Sequence, residues 1–298
     1  MELRQLKYFI AVAECRSFNK AAETLFIAQP ALSRQISSLE DELGVQLFVR
    51  SARGVHMTAA GIRFMEMARH ATDYIGNIKA KLQAPEDALT GSVTVGLPPS
   101  LTPLLAPRVL VAAKEQFPLL AVHIIEGQST FISEWLELGR IDFALLTSPA
   151  RTRSITSREI LEEEMVLVGS PGTLGASSGF LGVEELPRFR LAVTHGFRRV
   201  LEHWLLVHRV EIAYAMELDS IHVVLELARA GECCTVAPVS MVHESVARGT
   251  LNALRFRPPV TRVIASAVSA RRPVSPAMAA VESLITDEVM KLPMELPE

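Results

Sequence analysis

The sequence is short of the features that mark secreted, membrane-bound and catalytic proteins. Its three cysteines, Cys15, Cys233 and Cys234, are odd in number. The adjacent pair could bridge only as a strained vicinal disulfide, so no disulfide framework is implied and a reducing compartment fits best. Cys233 and Cys234 read as buried small residues of a strand. The opening Met1-Glu-Leu-Arg-Gln-Leu-Lys7 has no apolar run, and the stretch Leu101 to Ala113 is interrupted by Pro103, Pro107 and Arg108. Neither a secretory signal nor a membrane span is expected, and the expected location is cytoplasmic.

Catalytic signatures are missing as well. There is no Gly-x-x-x-x-Gly-Lys-Ser/Thr loop and no Gly-x-Ser-x-Gly elbow, and Gly172-Thr-Leu-Gly175 has the wrong spacing for a dinucleotide fingerprint. The eight histidines never stand at metal-ligand spacing with the cysteines, and His243 is isolated. The acidic run Glu162-Glu-Glu164 reads as a solvated turn before a strand rather than a carboxylate metal site. No metal, no cofactor and no catalytic residue is expected, so the chain is not read as an enzyme.

What is present is a globular chain of 298 residues, 49% hydrophobic and 21% charged, long enough for two or more domains. Its net charge of −3 argues weakly against a nucleic-acid partner, an objection that applies to the whole chain and not to a local patch.

Helical periodicity governs the first forty or so residues. Leu3, Leu6, Phe9, Ile10 and Ala13 form one run, Phe18, Ala21, Ala22 and Leu25 a second, and Leu32, Ile36, Leu39 and Leu43 a third. Ser17 suits the N-cap of the second helix, Pro30 the first turn of the third, and Gly44 ends it. Gln46 to Thr58 alternates loosely around Gly54 as two strands of a wing would. Thr58 to about Gln83 reads as a long helix whose broad apolar face, from Ile62 to Leu82, awaits a partner helix. A boundary falls in the polar, proline-containing Pro85 to Gly91.

Beyond it, strands alternate with helices, the mark of a mostly parallel sheet. Strands are predicted over 92–97, 121–126, 143–147, 165–169, 191–194, 213–218, 235–239 and 263–269. Helices are predicted over 102–116, 129–139, 198–208, 220–230, 239–248 and 276–291.

The segment from Phe18 to Ser37 has the spacing of a helix-turn-helix. Small Ala21 and Ala22 permit close helix approach, Leu25 and Ile27 fill the corner, and Leu32 and Ile36 seat the second helix on the first. The opposite face carries Gln29, Ala31, Ser33 and Arg34. Gln29 suits adenine, Arg34 guanine or phosphate, and Ala31 a thymine methyl. Arg50 and Arg53, with Ser51 and Gly54, put positive charge on the wing. The plainer alternative is a three-helix core with a polar outer face and a solvated turn.

At this point the N-terminus resembles LysR-type transcriptional regulators, including their nitrogen-assimilation-regulator branch. The matching residues are Met1 to Phe9, Ser17-Phe18 with Ala21-Ala22, Gln29-Pro-Ala-Leu-Ser-Arg-Gln-Ile36, Leu39-Glu-Asp-Glu-Leu-Gly44, Leu47-Phe48 with Arg50, and Thr58-Ala-Ala-Gly61. Looser matches follow at Gly91 to Gly96, Leu138-Gly-Arg-Ile-Asp142 and Gly231 to Pro238. The resemblance implies an α/β protein with an N-terminal all-α winged helix-turn-helix, a long linker helix and two Rossmann-like, periplasmic-binding-protein-like subdomains. The corresponding boundaries are 1–58 for DNA binding, 59–90 for the linker and dimerisation helix, and 91–298 for effector binding. Subdomain I covers about 91–162 and 267–298, and subdomain II about 163–266. It further implies double-stranded promoter DNA, a small-molecule effector of which an anion is one candidate class, RNA polymerase, and assembly as a homodimer or homotetramer. The recognition role passes to Ser17, Gln29, Pro30, Ala31, Ser33 and Arg34, with Arg50 and Arg53 on the wing.

In an open α/β sheet, ligands sit beyond the carboxyl ends of strands, near helix N-termini. That rule nominates Ser100 and Leu101 after the first strand, Gln128 and Ser129 after the second, and Thr147 at the end of a third. It also nominates His195, Phe197 and Arg198 after a later strand, and Pro238. The alternatives are that Ser100 and Ser129 are helix caps, His195 a structural histidine and Arg198 a surface cation. Two other readings of the whole chain compete: a small-molecule receptor without DNA binding, which Ser17 to Arg53 argue against, and a metabolic α/β enzyme, which turnover would reveal.

Overall fold

The computed structural model describes residues 1–51, 54–76, 78, 88–148, 152–175, 179–270 and 273–297. The chain forms two compact units, one of residues 1–92 with the short stretches 119–121 and 138–140, the other of the remaining residues.

In the first unit, α1 (Leu3–Cys15), α2 (Phe18–Thr24) and α3 (Gln29–Leu43) precede a two-stranded wing, β1 (Phe48–Ser51) and β2 (Gly54–Met57), and then α4 (Ala59–Gly76). The predicted caps are in place. Ser17 Oγ accepts the Lys20 amide, Pro30 lies in the first turn of α3, and Gly44 closes α3 at φ +67°, where a side chain would be strained. Phe9 is the centre of the core. It packs against Phe48 at 5.0 Å and Phe64 at 4.9 Å, with Ala21, Leu32, Ile36 and Leu39 closing around it.

Two polar pins fix the wing and α4 to this core. Glu40 Oε1 accepts the amides of Leu47 and Phe48 at 2.7 and 3.0 Å. Thr58 Oγ1 donates to Gln46 O at 2.6 Å and accepts the Gly61 amide at 2.9 Å, which caps α4. A Cβ on Gly61 would lie 2.1 Å from Leu47 O. The Thr58-Ala-Ala-Gly61 spacing is therefore a packing requirement. The described part of α4 ends at Gly76, and the predicted continuation over 79–83, like residues 85–87 of the predicted boundary at Pro85 to Gly91, lies outside the described residues.

The second unit contains β3 (Gly91–Leu97), α5 (Thr102–Gln116), β4 (Leu120–Glu126), α6 (Ser129–Glu137), β5 (Phe143–Thr147), β6 (Ile155–Gly169), α7 (Pro171–Leu174), β7 (Phe180–Gly182), a 3₁₀ turn (Val183–Arg188), β8 (Leu191–Val193), α8 (His195–His208), β9 (Tyr214–Glu217), α9 (Ile221–Arg229), β10 (Thr235–Pro238), α10 (Val239–Ala247), β11 (Asn252–Ser269) and α11 (Pro276–Val289). The main sheet runs β10-β6-β11-β5-β3-β4, with β7 on β11. A second sheet pairs β8 and β9 in parallel.

The expectation of a mostly parallel sheet is corrected. β10 and β6, β6 and β11, and β11 and β5 pair antiparallel, whereas β3–β5 and β7–β11 pair in parallel. The cause is that β6 and β11 are far longer than predicted, at 15 and 18 residues. Charged residues hide the first half of β6, and Pro258-Pro259 interrupt the β11 ladder, which breaks between Arg255 and Val260 and then resumes. The predicted solvated turn at Glu162 to Glu164 is accordingly strand. Helix α8 starts at His195, three residues earlier than predicted, because Thr194 Oγ1 caps it by accepting the Phe197 amide.

Cys233 and Cys234 are buried. Burial pushes the Cys234 thiol up from 9.0 to about 11, with the neighbouring Cys233 adding to the effect, and burial also raises Cys233. A raised thiol favours folding below the ordinary value, so the stability due to Cys234 is complete below pH 9 and is lost as pH climbs toward 11. Titration with a thiol reagent at pH 8 is expected to modify Cys15 in the native protein and the other two only after unfolding. Gly61→Ala is expected to destabilise the first unit by about 1–3 kcal/mol, read from its urea midpoint, because Leu47 O belongs to backbone and cannot swing aside.

Candidate DNA-reading face and effector cavity

In the first unit, Leu32, Ile36 and Leu39 bury one side of α3, leaving Pro30, Ala31 and Arg34 exposed and Gln29 and Ser33 half-buried. Gln29 Nε2 donates to Ser33 Oγ at 3.1 Å. Arg34 Nε reaches the Pro30 carbonyl at 3.4 Å, which folds the guanidinium back along the helix. Hence the nominated residues of α3 share one side, small and polar. Ser17 serves as the α2 cap. Arg50 belongs to β1 of the wing, and Arg53 lies outside the described residues.

In the second unit a cavity of about 640 Å³ opens at the ends of β3 and β5. Pro98 to Ser100 follow β3, Gln128 to Thr130 begin α6, and Thr147 with Ser148 ends β5. Opposite stand His195, Phe197, Arg199, Val200, His203 and Trp204 of α8, Asp219 and Ile221 by α9, and Pro259 to Arg262 of β11. Six nominated residues thus come together: Ser100, Gln128, Ser129, Thr147, His195 and Phe197. Three do not line it. Leu101 is fully buried and takes the cap position of α5 without a side-chain bond, and Pro238 is buried at the end of β10. Arg198 is committed elsewhere, to Glu202 at 2.7 Å and Glu217 at 2.6 Å, which raise its pKa. Its neighbour Arg199 faces the cavity instead.

Neither nominated serine is a side-chain cap. Ser129 Oγ accepts the Thr147 amide at 3.2 Å and lies 3.1 Å from Thr147 Oγ1, tying α6 to β5. Gln128 donates to Asp219 at 3.2 Å. His195 Nδ1 is 3.7 Å from Glu217, and its side chain is 57% exposed.

Ser100 belongs to a buried charge network that sequence reasoning missed. Arg262 is 1% exposed and Glu163 0%. They face each other across the β6–β11 ladder, with Arg262 Nε donating to Glu163 Oε2 at 2.8 Å and Nη2 2.7 Å from the same oxygen. Arg262 Nη1 donates to Ser100 Oγ at 2.7 Å, so the serine oxygen is an acceptor there and its own hydrogen is left for another partner. On the far side Glu163 Oε1 accepts the Ser240 amide at 2.9 Å, at the start of α10. The available signal was a lone arginine within the apolar Val260 to Ala265, matched by an acidic run before another apolar stretch.

A family model described as bacterial regulatory helix-turn-helix protein, lysR family, matches residues 3–62, and one described as LysR substrate binding domain matches residues 86–289. The chain belongs to the LysR family. It is 31% identical to the nitrogen assimilation regulatory protein nac of Klebsiella aerogenes, over 99% of this chain and 97% of that one. It is 27% identical to the hydrogen peroxide-inducible genes activator of Haemophilus influenzae, over 98% of each. Full-length CbnR, solved with its target DNA, has the same fold, with a TM-score of 0.71 at 24% identity over 97% of this chain and all of that one. This LysR-family protein is a DNA-binding transcriptional regulator with an effector-binding domain, and not an enzyme. Among the described residues no helix is long and apolar enough to cross a membrane, and no group of His, Cys, Asp and Glu is arranged to hold a metal ion.

Removing one partner of the buried pair strands the other's charge. Arg262→Met is therefore expected to cost about 3–5 kcal/mol in urea unfolding, whereas Glu163→Leu combined with Arg262→Met is expected to recover most of it.

Proposed function

We propose that this regulator reads a promoter half-site with the exposed side of α3 and that a small effector occupies the cavity of the second unit. Residues 1–58 serve DNA binding, 59–90 link and dimerise, and 91–298 bind the effector. Gln29, Pro30, Ala31, Ser33 and Arg34 enter the major groove, Ser17 sits at the α2 start, and Arg50 and Arg53 serve as phosphate contacts. Ser100, Gln128, Ser129, Thr147, His195 and Phe197 contact the effector. Arg262 and Glu163 hold Ser100 in place, and Arg198, Leu101 and Pro238 act only as support. The convergence of six residues, nominated from separate strand ends, on one cavity carries this reading.

The hydroxyls of Ser100, Ser129 and Thr147, with the N-terminal amides of α6 and α8, suit a ligand with acceptor oxygens, an anion included. Phe197 and Trp204 suit its apolar body. The protein works in the cytoplasm as a homodimer or homotetramer and acts on RNA polymerase. Effector binding closes the cavity and resets the spacing of paired recognition helices.

A salt-dependent titration against the promoter of its own gene, with scrambled duplex as control, tests the DNA half of this reading. Preference for the promoter is expected, with half-sites about ten base pairs apart or a multiple of that. Arg34→Ala is expected to weaken binding by about 1–3 kcal/mol and to relax discrimination at one base pair. Equal weakening on all sequences would make Arg34 a phosphate contact.

A further inference from the structure

Phe26 combines two properties that the α3 reading leaves unused. Its side chain is 95% exposed, more than any other large apolar side chain among the described residues. Its backbone lies at φ +55°, a left-handed conformation that asparagine or glycine adopts with less strain than a bulky aromatic. The turn is firmly built. The Phe26 amide donates to Glu23 O at 3.1 Å and the Ile27 amide to Ala22 O at 3.0 Å. On either side Leu25 and Ile27 pack onto the core of the first unit. An aromatic ring is thus held in water by two anchored neighbours, three residues before Gln29 opens α3.

The surroundings select the kind of partner. A protein interface wants a contiguous apolar patch of several hundred Å², but the exposed residues flanking Phe26 in the chain are Glu23, Thr24 and Ala28. A lone ring suits a surface that is itself a narrow apolar strip between charges, which describes the deoxyribose row of a DNA strand between its phosphates. Burying the ring there would remove apolar area from water only in the complex.

We infer that Phe26 is a DNA-positioning residue whose ring packs on the deoxyribose of the strand flanking the groove that α3 enters. The inference rests on the proposed docking of α3. The contact is uncharged, fixes how the corner between α2 and α3 sits on the backbone, and releases no counterion.

Two substitutions separate ring from backbone. F26N removes the ring but suits the left-handed turn, and F26Y keeps the ring. Fluorescence anisotropy of the full-length protein with its own promoter duplex, over a series of salt concentrations, is the measurement, with thermal melting alongside. F26N is expected to melt no lower than wild type and to bind about tenfold more weakly, the scale of one aromatic face left in water. Its slope of log affinity against log salt is expected to match wild type, because no phosphate contact is lost. F26Y is expected to bind within about twofold of wild type. Wild-type affinity in F26N overturns the inference, and if transcription falls while that affinity is kept, the ring belongs to a protein partner. A loss accompanied by a shallower salt slope also overturns it, since the ring would then act through phosphate contacts. Should the wild type itself show no preference for promoter over scrambled duplex, the docking of α3 fails first and this inference with it.

Discussion

The pairing of Glu163 with Arg262 is the interaction on which the second unit's architecture turns. Both charges are withdrawn from water in the middle of the longest ladder in the molecule, where desolvation costs several kcal/mol per ion unless geometry and further hydrogen bonds offset it. The offset comes from three elements: the opposite strand, the segment after β3 through Ser100, and the first turn of α10 through the Ser240 amide. Leucines could fill the same space without fixing direction. A charged pair specifies that β6 and β11 meet in one register, since a shift of one residue would aim both charges away from each other.

The two functional regions are made by different means. On α3 the face is assembled by what lies beneath it: Ala21, Leu32 and Ile36 are small or branched enough to seat the helix, and the outward residues take no part in the core. Cavity residues, by contrast, are held by each other. Ser129 depends on Thr147, Ser100 on Arg262, and Gln128 on Asp219. Substitutions on the helix face therefore leave the core beneath in place and reach no further than bonds along the face such as Gln29 to Ser33, whereas those in the cavity disturb the next residue in the chain of bonds.

That difference explains what was legible. The helix-turn-helix is written in contacts a few residues apart, so Ser17, Pro30 and Gly44 could be read as helix punctuation and the alanines as a crossing point. Strand ends located most of the cavity because the rule linking them to ligands needs only approximate boundaries. Glu163 and Arg262 escaped because they lie 99 residues apart, and each is locally disguised, one inside an acidic run and the other downstream of a proline pair. Arg198 was nominated, but Arg199, which the sequence reading did not single out, is the arginine that lines the cavity. With α8 starting at His195, the first turn is phased so that consecutive side chains diverge by about 100°, and Glu202 and Glu217 claim the first arginine.

One feature of the sheet bears on mechanics. β5 and β10 never touch in the strand order; both hang from the ribbon of β6 and β11, β5 beside one end and β10 beside the other. A two-stranded ribbon resists stretching through its ladder but yields to twist, and this one is already loosened where Pro258 and Pro259 withhold their amides. Within the sheet β5 therefore connects to β10 through the ribbon, and the buried Glu163 and Arg262 sit between the two attachment points.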